Sequence, residues 1–277
     1  MLRKLGVSRS GYLSWKRRTP SKQQERKGKI KEKIIEIYED SHQNYGSPKI
    51  ARILQQNGET ISEKTVGNYM REMGIRAQYT VHYTVTTVQS DFSNKLQNLL
   101  NEQFNPETPD TVWCSDITYI WTMSGFVYLT SIMDLYSRKI ISWVLSETLE
   151  TRWVIEAVRK AQDMRQVKEP LILHTDRGIQ YVSNAYREVT QGMQRSYSKK
   201  AYPWDNACIE SFHAILKREW INRFKIFDYN HAYRLIFEYI ETFYNTVRIH
   251  SHCDYKSPNE HEKEYWKENT KLQSKVS

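Results

Sequence analysis

The chain has 277 residues, 39% hydrophobic and 26% charged, with a net charge of +9, which suits one main domain with one or two small ones. Its longest apolar run is four residues, Phe126 to Leu129, far below the ~20 that a membrane span needs, and the polar start carries no signal-peptide pattern. Three scattered cysteines, Cys114, Cys208 and Cys253, disfavour a disulfide scaffold or a CxxC zinc site, so the expected compartment is a reducing cytoplasm.

The charge is uneven. Residues 1–33 hold twelve Lys/Arg against Glu25 and Glu32, a net +10, which leaves the other 244 residues at −1. A basic N-terminal arm over 1–33 suggests a polyanionic partner. Arg17 and Arg18 lie beside Tyr12 and Trp15, and cations interleaved with aromatics favour nucleic acid over a merely solvated tail.

Residues 34–77 read as three short helices forming a helix-turn-helix unit. Ile30, Ile34, Ile37 and Tyr38 repeat at helical spacing. Ser47-Pro48 opens a second helix that Gly58 closes, and Ser62 caps a third that stops at Gly74. That third helix would turn Lys64, Asn68 and Arg71 toward DNA; the bland alternative is a packing unit with no DNA role. Residues 78–105, Thr-rich and then polar, read as a linker with room for one short helix.

A core follows over 106–262, with a polar tail at 263–277. Val112 to Trp121, Phe126 to Met133 and Lys139 to Leu145 read as an antiparallel meander, and Thr151 to Met164 as a helix. Leu171 to Asp176 has the apolar character of a central parallel strand. A helix near 183–190, a strand near 194–198, a long helix from Asn206 to about Trp220 and a last helix near 229–244 complete an α/β fold. The expected architecture is a mixed sheet with helices on both faces, preceded by the small helical domain.

Three acids stand out. Asp116 interrupts a β-rich run, Asp176 ends the parallel-type strand beside Arg177-Gly178, and Glu210 lies inside the long helix. Asp205 is expected to cap that helix, with Trp204 and Ile209 as a hydrophobic staple. Glu210, His213, Ala214 and Lys217 then form a polar stripe apart from Ile209, Phe212 and Leu216. Carboxylates on rigid elements suit hard divalent cations and two-metal phosphoryl transfer. Taken singly, Asp176 could equally cap a turn, and Glu210 could pair with His213 or Lys217 on the surface. Asp134 reads more naturally as a turn cap than as a fourth metal ligand. His174 shares a strand face with Asp176, as a DNA contact or as a satisfied histidine. Arg248 and His250 are candidate phosphate contacts, while His42 and His82 lack zinc spacing with the cysteines.

The chain resembles the transposases of the IS3 group of bacterial insertion sequences. Carrying the resemblance are Tyr45-Gly46 with Ile50, Trp113 to Tyr119, Asp134 to Arg138, His174 to Tyr181, Trp204 to Phe212, Tyr244 to His250 and Ser257-Pro258. It extends from about Gly6 to Pro258 and implies a ribonuclease-H-like catalytic core similar to retroviral integrases. It further implies an acidic triad at Asp116, Asp176 and Glu210 using two Mg²⁺ or Mn²⁺ ions, with Lys217 two turns along the helix from Glu210 as a basic partner. The implied activity is cleavage and joining of element-end DNA. Implied partners are double-stranded DNA (terminal inverted repeats and target) and further copies of the chain, in a bacterial, nucleoid-associated setting.

Two departures qualify the resemblance. Thirty-three residues separate Asp176 from Glu210, against the group's usual thirty-five; the shortening is expected around Thr190 to Gln194. By the same resemblance the chain looks like the product of the second reading frame of such elements, which implies an upstream-frame product as a further expected partner. The rival readings are a sequence-specific DNA-binding repressor with an inactive core, and a ribonuclease acting on hybrids. The basic arm and helix-turn-helix count against the second, because cutting a hybrid needs neither.

Overall fold

A computed structural model describes residues 6, 8–17, 21–78, 96–165, 170–199 and 202–276, which fall into two units, Met1–Gln78 and Tyr79–Ser277. Among the described residues no helix is long and apolar enough to cross a membrane.

The first unit holds α1 (Arg9–Lys16), α2 (Lys22–Asp40), α3 (Ser47–Gln56) and α4 (Glu63–Glu72). Ser21 and Gln24 form a reciprocal capping box at the start of α2, satisfying amides that the helix itself leaves open. From there one apolar stripe, Ile30, Ile34 and Tyr38, is buried along with Ile50, Ala51 and Leu54 of α3 and Val66 and Met70 of α4. The expected boundary between arm and domain at residue 33 therefore falls inside a continuous helix. Its cations are engaged: Lys27 and Lys31 reach Glu72 at 2.7 and 2.8 Å, and Lys33 reaches Glu59 at 2.6 Å. Arg26 donates to the Thr60 carbonyl at 2.9 Å. At α3 the cap is Gly46 rather than Ser47, with Pro48 in the first turn. Gly58 (φ 85°) and Gly74 (φ 71°) end α3 and α4 in the left-handed region, as expected.

In the second unit β1 (Val112–Thr122), β2 (Gly125–Asp134) and β3 (Ile140–Ser146) precede α5 (Thr151–Met164), β4 (Ile172–Thr175), α6 (Ile179–Val182), α7 (Asn184–Val189) and β5 (Gln194–Tyr197). Then come α8 (Ala207–Glu219), α9 (Tyr229–Phe237), which continues as π-helical turns over Glu238–Tyr244, and α10 (Pro258–Val276). The sheet order is β3-β2-β1-β4-β5. β1–β2 and β2–β3 are antiparallel, and β1–β4 and β4–β5 parallel. This is the expected ribonuclease-H-like mixed sheet.

Alternation along β1 and β2 sends successive side chains to opposite layers. Cys114, Val127, Leu129 and Met133 join Ile209, Phe212 and Leu216 of α8 and Leu235 and Ile236 of α9. Trp113 and Ile132 join Val154, Ala157, Val158 and Ala161 of α5 with Tyr181 and Tyr186. Helices thus cover both faces.

Two expected boundaries shift here as well. Within the expected linker, residues 79–95 lie outside the described residues, but residues 96–105 belong to the core. Leu100 is buried, and the amides of Leu99 and Leu100 donate to Ser196 Oγ at 2.9 and 3.1 Å. The expected polar tail falls within α10, which runs unbroken across residue 262, where Glu262 is held by Arg165 at 2.6 Å and Lys139 at 3.1 Å.

Candidate active site

β1 pairs with β4 over Val112–Ser115. Ser115 is the register partner of Thr175, so Asp116 and Asp176 are each the next residue beyond the last pair of two parallel strands. Asp116 shares the sheet face of Cys114, beneath α8. Asp176 turns sharply, its Oδ1 accepting the Gly178 amide at 2.9 Å. A Cβ at Gly178 would come within 3.0 Å of that same oxygen, so the glycine keeps the turn tight. Glu210 enters from the first turn of α8.

Asp176 and Glu210 each feel a neighbouring acid. Burial and then the charge of Asp116 push Asp176 up to about 6. Burial, followed by Asp116 and Asp176, pushes Glu210 up to about 7, although its side chain keeps an exposed surface. Like charges crowded together disfavour joint ionisation. As they stand, no three or more His, Cys, Asp or Glu side chains among the described residues converge into a ready-made metal cage. The donors are nonetheless all hard oxygens on rigid elements, and their mutual repulsion is what a divalent cation relieves. Lys217, two turns along α8, holds its Nζ 4.6 Å from the centre of the Tyr119 ring. Burial lowers its pKa and Asp116 opposes that shift. Tyr119, Trp121 and Phe126 form an exposed edge-to-face aromatic cluster on the β1–β2 hairpin.

His213 is the residue that spacing underrates. It does not pair with Glu210: its Nδ1 meets Asp116 Oδ2 at 3.3 Å and its Nε2 meets Ser131 Oγ at 3.2 Å. The signal available in the sequence was its place three residues after Glu210, on the same helix face.

Several expected contacts are corrected. His174 is fully buried between Ser196 Oγ (2.8 Å) and Ser198 Oγ (3.2 Å). Burial lowers its pKa to about 4, so it is a neutral, satisfied histidine and not a DNA contact. Arg248 is buried against Glu219, donating from Nε at 2.7 Å and Nη2 at 2.8 Å, and is not free for phosphate. His250 accepts the His252 amide at 3.3 Å and caps the turn Ser251–Cys253. Asp205 does not cap α8. Asn206 stands at that position, Trp204 is exposed rather than stapled, and buried Asp205 accepts from Asn98 Nδ2 and the Lys199 amide.

Asp134 caps its turn as expected, accepting the amides of Asp110 and Tyr136 at 2.7 Å each. On α4, Lys64, Asn68 and Arg71 are exposed as expected, with Arg71 Nη1 donating to Asn68 Oδ1 at 3.1 Å. Arg17 is exposed at the end of α1, and Arg18 lies outside the described residues.

A family profile described as an integrase core domain matches residues 106–203, a second of that description matches 191–258, and an HTH-like domain matches 25–83. The transposase for insertion sequence element IS904 of Lactococcus lactis is 38% identical over 248 residues, covering 89% of this chain and 98% of its own length. Transposase InsF for insertion sequence IS3A of Escherichia coli is 33% identical over 266 residues, covering 95% of this chain and 92% of its own. The chain belongs to the IS3 family of transposases. Among solved structures, the HTLV-2 integrase catalytic core domain in complex with magnesium is similar with a TM-score of 0.45 and 16% identity, over 56% of this chain and 98% of that one. In this IS3-family transposase the two integrase-core matches divide the site. Asp116 and Asp176 lie in the first, and Glu210, His213 and Lys217 in the second.

Proposed function

We propose that this transposase cleaves and rejoins DNA at element ends by metal-dependent phosphoryl transfer, with Asp116, Asp176 and Glu210 holding two Mg²⁺ or Mn²⁺ ions. The observation that carries the reading is the placement of three carboxylates, two of them one residue past the last β1–β4 pair and the third on the first turn of α8, where neighbouring acids raise both Asp176 and Glu210. When bound, the ions would activate the attacking oxygen and stabilise the leaving oxygen of an in-line displacement. Asp116 and Asp176 offer their oxygens from strands fixed by the sheet, and Glu210 offers its own from a helix anchored by Ile209 and Phe212. Lys217 acts as a point charge that orients a DNA phosphate. No side chain needs to become covalently attached to DNA.

The first unit supplies recognition in this reading. The exposed α4 residues Lys64, Asn68 and Arg71 meet base edges, and Arg17 meets phosphate. The partners are the terminal inverted repeats and target DNA, further copies of the chain on that DNA, and the upstream-frame product.

The test is strand transfer by the purified protein on an oligonucleotide carrying the inverted repeat that flanks its gene. Nicked and joined products should form with Mn²⁺ or Mg²⁺ and vanish with EDTA. Tight, specific binding that is indifferent to metal and yields no product would instead establish a repressor with an inert core.

A further inference from the structure

Asp116, Ser131 and His213 meet across three elements, with His213 bridging the other two. Asp116 and Ser131 are register partners on β1 and β2, on the face covered by α8. His213 descends from α8 and touches both, its Nδ1 3.3 Å from Asp116 Oδ2 and its Nε2 3.2 Å from Ser131 Oγ. The imidazole is buried, and so is Ser131. The ring nitrogens complement each other: with a proton on Nδ1 the histidine donates to the carboxylate, and Nε2 accepts the serine hydroxyl.

An aspartate's terminal torsion is broad and does not fix its own oxygens. Something must hold them if Asp116 is to offer a set orientation, and on this face the partners are His213 and, behind it, Ser131. His213 also lies three residues after Glu210 and four before Lys217, so one rigid helix carries an acid, the residue that orients the opposing acid, and the nearby cation.

We propose that His213, seated by Ser131, is a positioning residue that pre-orients the Asp116 carboxylate for a divalent cation. The inference rests on the triad reading above and adds a role for two residues outside the triad. An outer partner of a metal-binding carboxylate typically changes metal affinity by ~10–100-fold when removed.

The experiment compares the parent protein with His213→Phe, which keeps a ring and removes both nitrogens, His213→Asn, which keeps a donor near the Nδ1 position, and Ser131→Ala. Each is titrated with MnCl₂ alone, following calorimetric heat and the rise in melting temperature, and then with MnCl₂ in the strand-transfer assay. His213→Phe should need roughly 10–100 times more Mn²⁺ for half-saturation in both measurements, with the rate largely recovered at saturating metal. His213→Asn should restore most of the affinity, and Ser131→Ala should shift it in the same direction by less. A merely structural histidine would lower the metal-free melting temperature and the amount of active protein while leaving half-saturation unmoved, and that result overturns the proposal. Should His213→Phe not fold, unchanged Mn²⁺ affinity in Ser131→Ala overturns it equally. A parent protein that neither binds Mn²⁺ nor joins strands removes the triad reading itself, and the role of His213 falls with it.

Discussion

Asp134 and Asp116 are both aspartates of the central meander, and what surrounds each carboxyl separates their roles. Asp134 is fully buried and accepts two backbone amides at 2.7 Å, whereas Asp116 opens toward two other acids. Asp134→Asn should place a donor against those amides and lower stability by about 1–3 kcal/mol. Strand transfer should then remain in proportion to folded protein, as a thermal melt beside the assay would show. Arg248→Ala leaves the buried Glu219 carboxylate without its paired cation, keeping partners such as the Tyr239 hydroxyl at 2.8 Å, and should cost about 3–5 kcal/mol of stability, with DNA affinity per folded molecule unchanged in a filter-binding titration. At this scale the sequence exposes a charge in the wrong place, such as Asp116 within a β-rich run, but not a polar residue whose partner is distant. Arg248 and His174 resemble phosphate contacts until Glu219, 29 residues away, and Ser196, 22 residues away, are seen to satisfy them.

Helices and strands with a strong period and a defined start were legible. The bounds of α5 follow from its apolar face and those of β1 from its aromatic, β-branched run. Charge density misled at α2, where a row of lysines and arginines hid the capping box at Ser21, so that a helix whose apolar repeat is already legible from Ile30 was divided into arm and domain. The truncations to compare are therefore removal of residues 1–20 and of residues 1–33. The first should leave the first unit folded and flatten the fall of log K with log salt, because phosphate contacts are lost. The second removes the start of α2 with Ile30 and its ion pairs to α4, and should melt the unit, visible as lost helical circular dichroism. An unchanged salt slope after the shorter cut would make the N-terminal segment a bystander. α10 escaped notice because its sequence is largely polar and its ties to the core reach residues far away in the chain: Glu262 to Arg165 and Lys139, the Asn259 amide to the Asn245 carbonyl, and His261 and Tyr265 to the Tyr136 ring.

Across the whole molecule the acids set a pH dependence with a definite sign. Asp176 at about 6, Glu210 at about 7 and Asp134 at about 7 all bind protons more tightly folded than at their ordinary values of 3.8, 4.5 and 3.8. Between about pH 4 and 7 these three acids bind more protons in the folded protein than in the unfolded chain, so their share of metal-free stability should fall as pH rises through that window, while His174, lowered to about 4, and His252 and His261, also lowered, oppose them. Glu72, lowered to about 2 by Lys27 and Lys31, acts oppositely, but only below about pH 4. Saturating Mn²⁺ should cancel the share due to Asp176 and Glu210 and leave that of Asp134. Melting temperatures of the parent and of Glu210→Gln at pH 5 and 7.5, in EDTA and in Mn²⁺, check both halves; a metal-free parent that loses no more stability than Glu210→Gln between pH 5 and 7.5 would contradict the assignment.

The central claim is that Asp116, Asp176 and Glu210 act as one metal-holding unit, and Glu210 tests it best because the interval before it is the shortened one. Glu210→Gln keeps the shape of the side chain and removes one of the three repelling charges. Strand transfer on an element-end oligonucleotide in Mn²⁺, with a metal-free melt of the same sample, is the deciding measurement. No joined product from a protein that melts at or above the parent's temperature is the predicted result, whereas robust joining by a well-folded Glu210→Gln protein would contradict the triad.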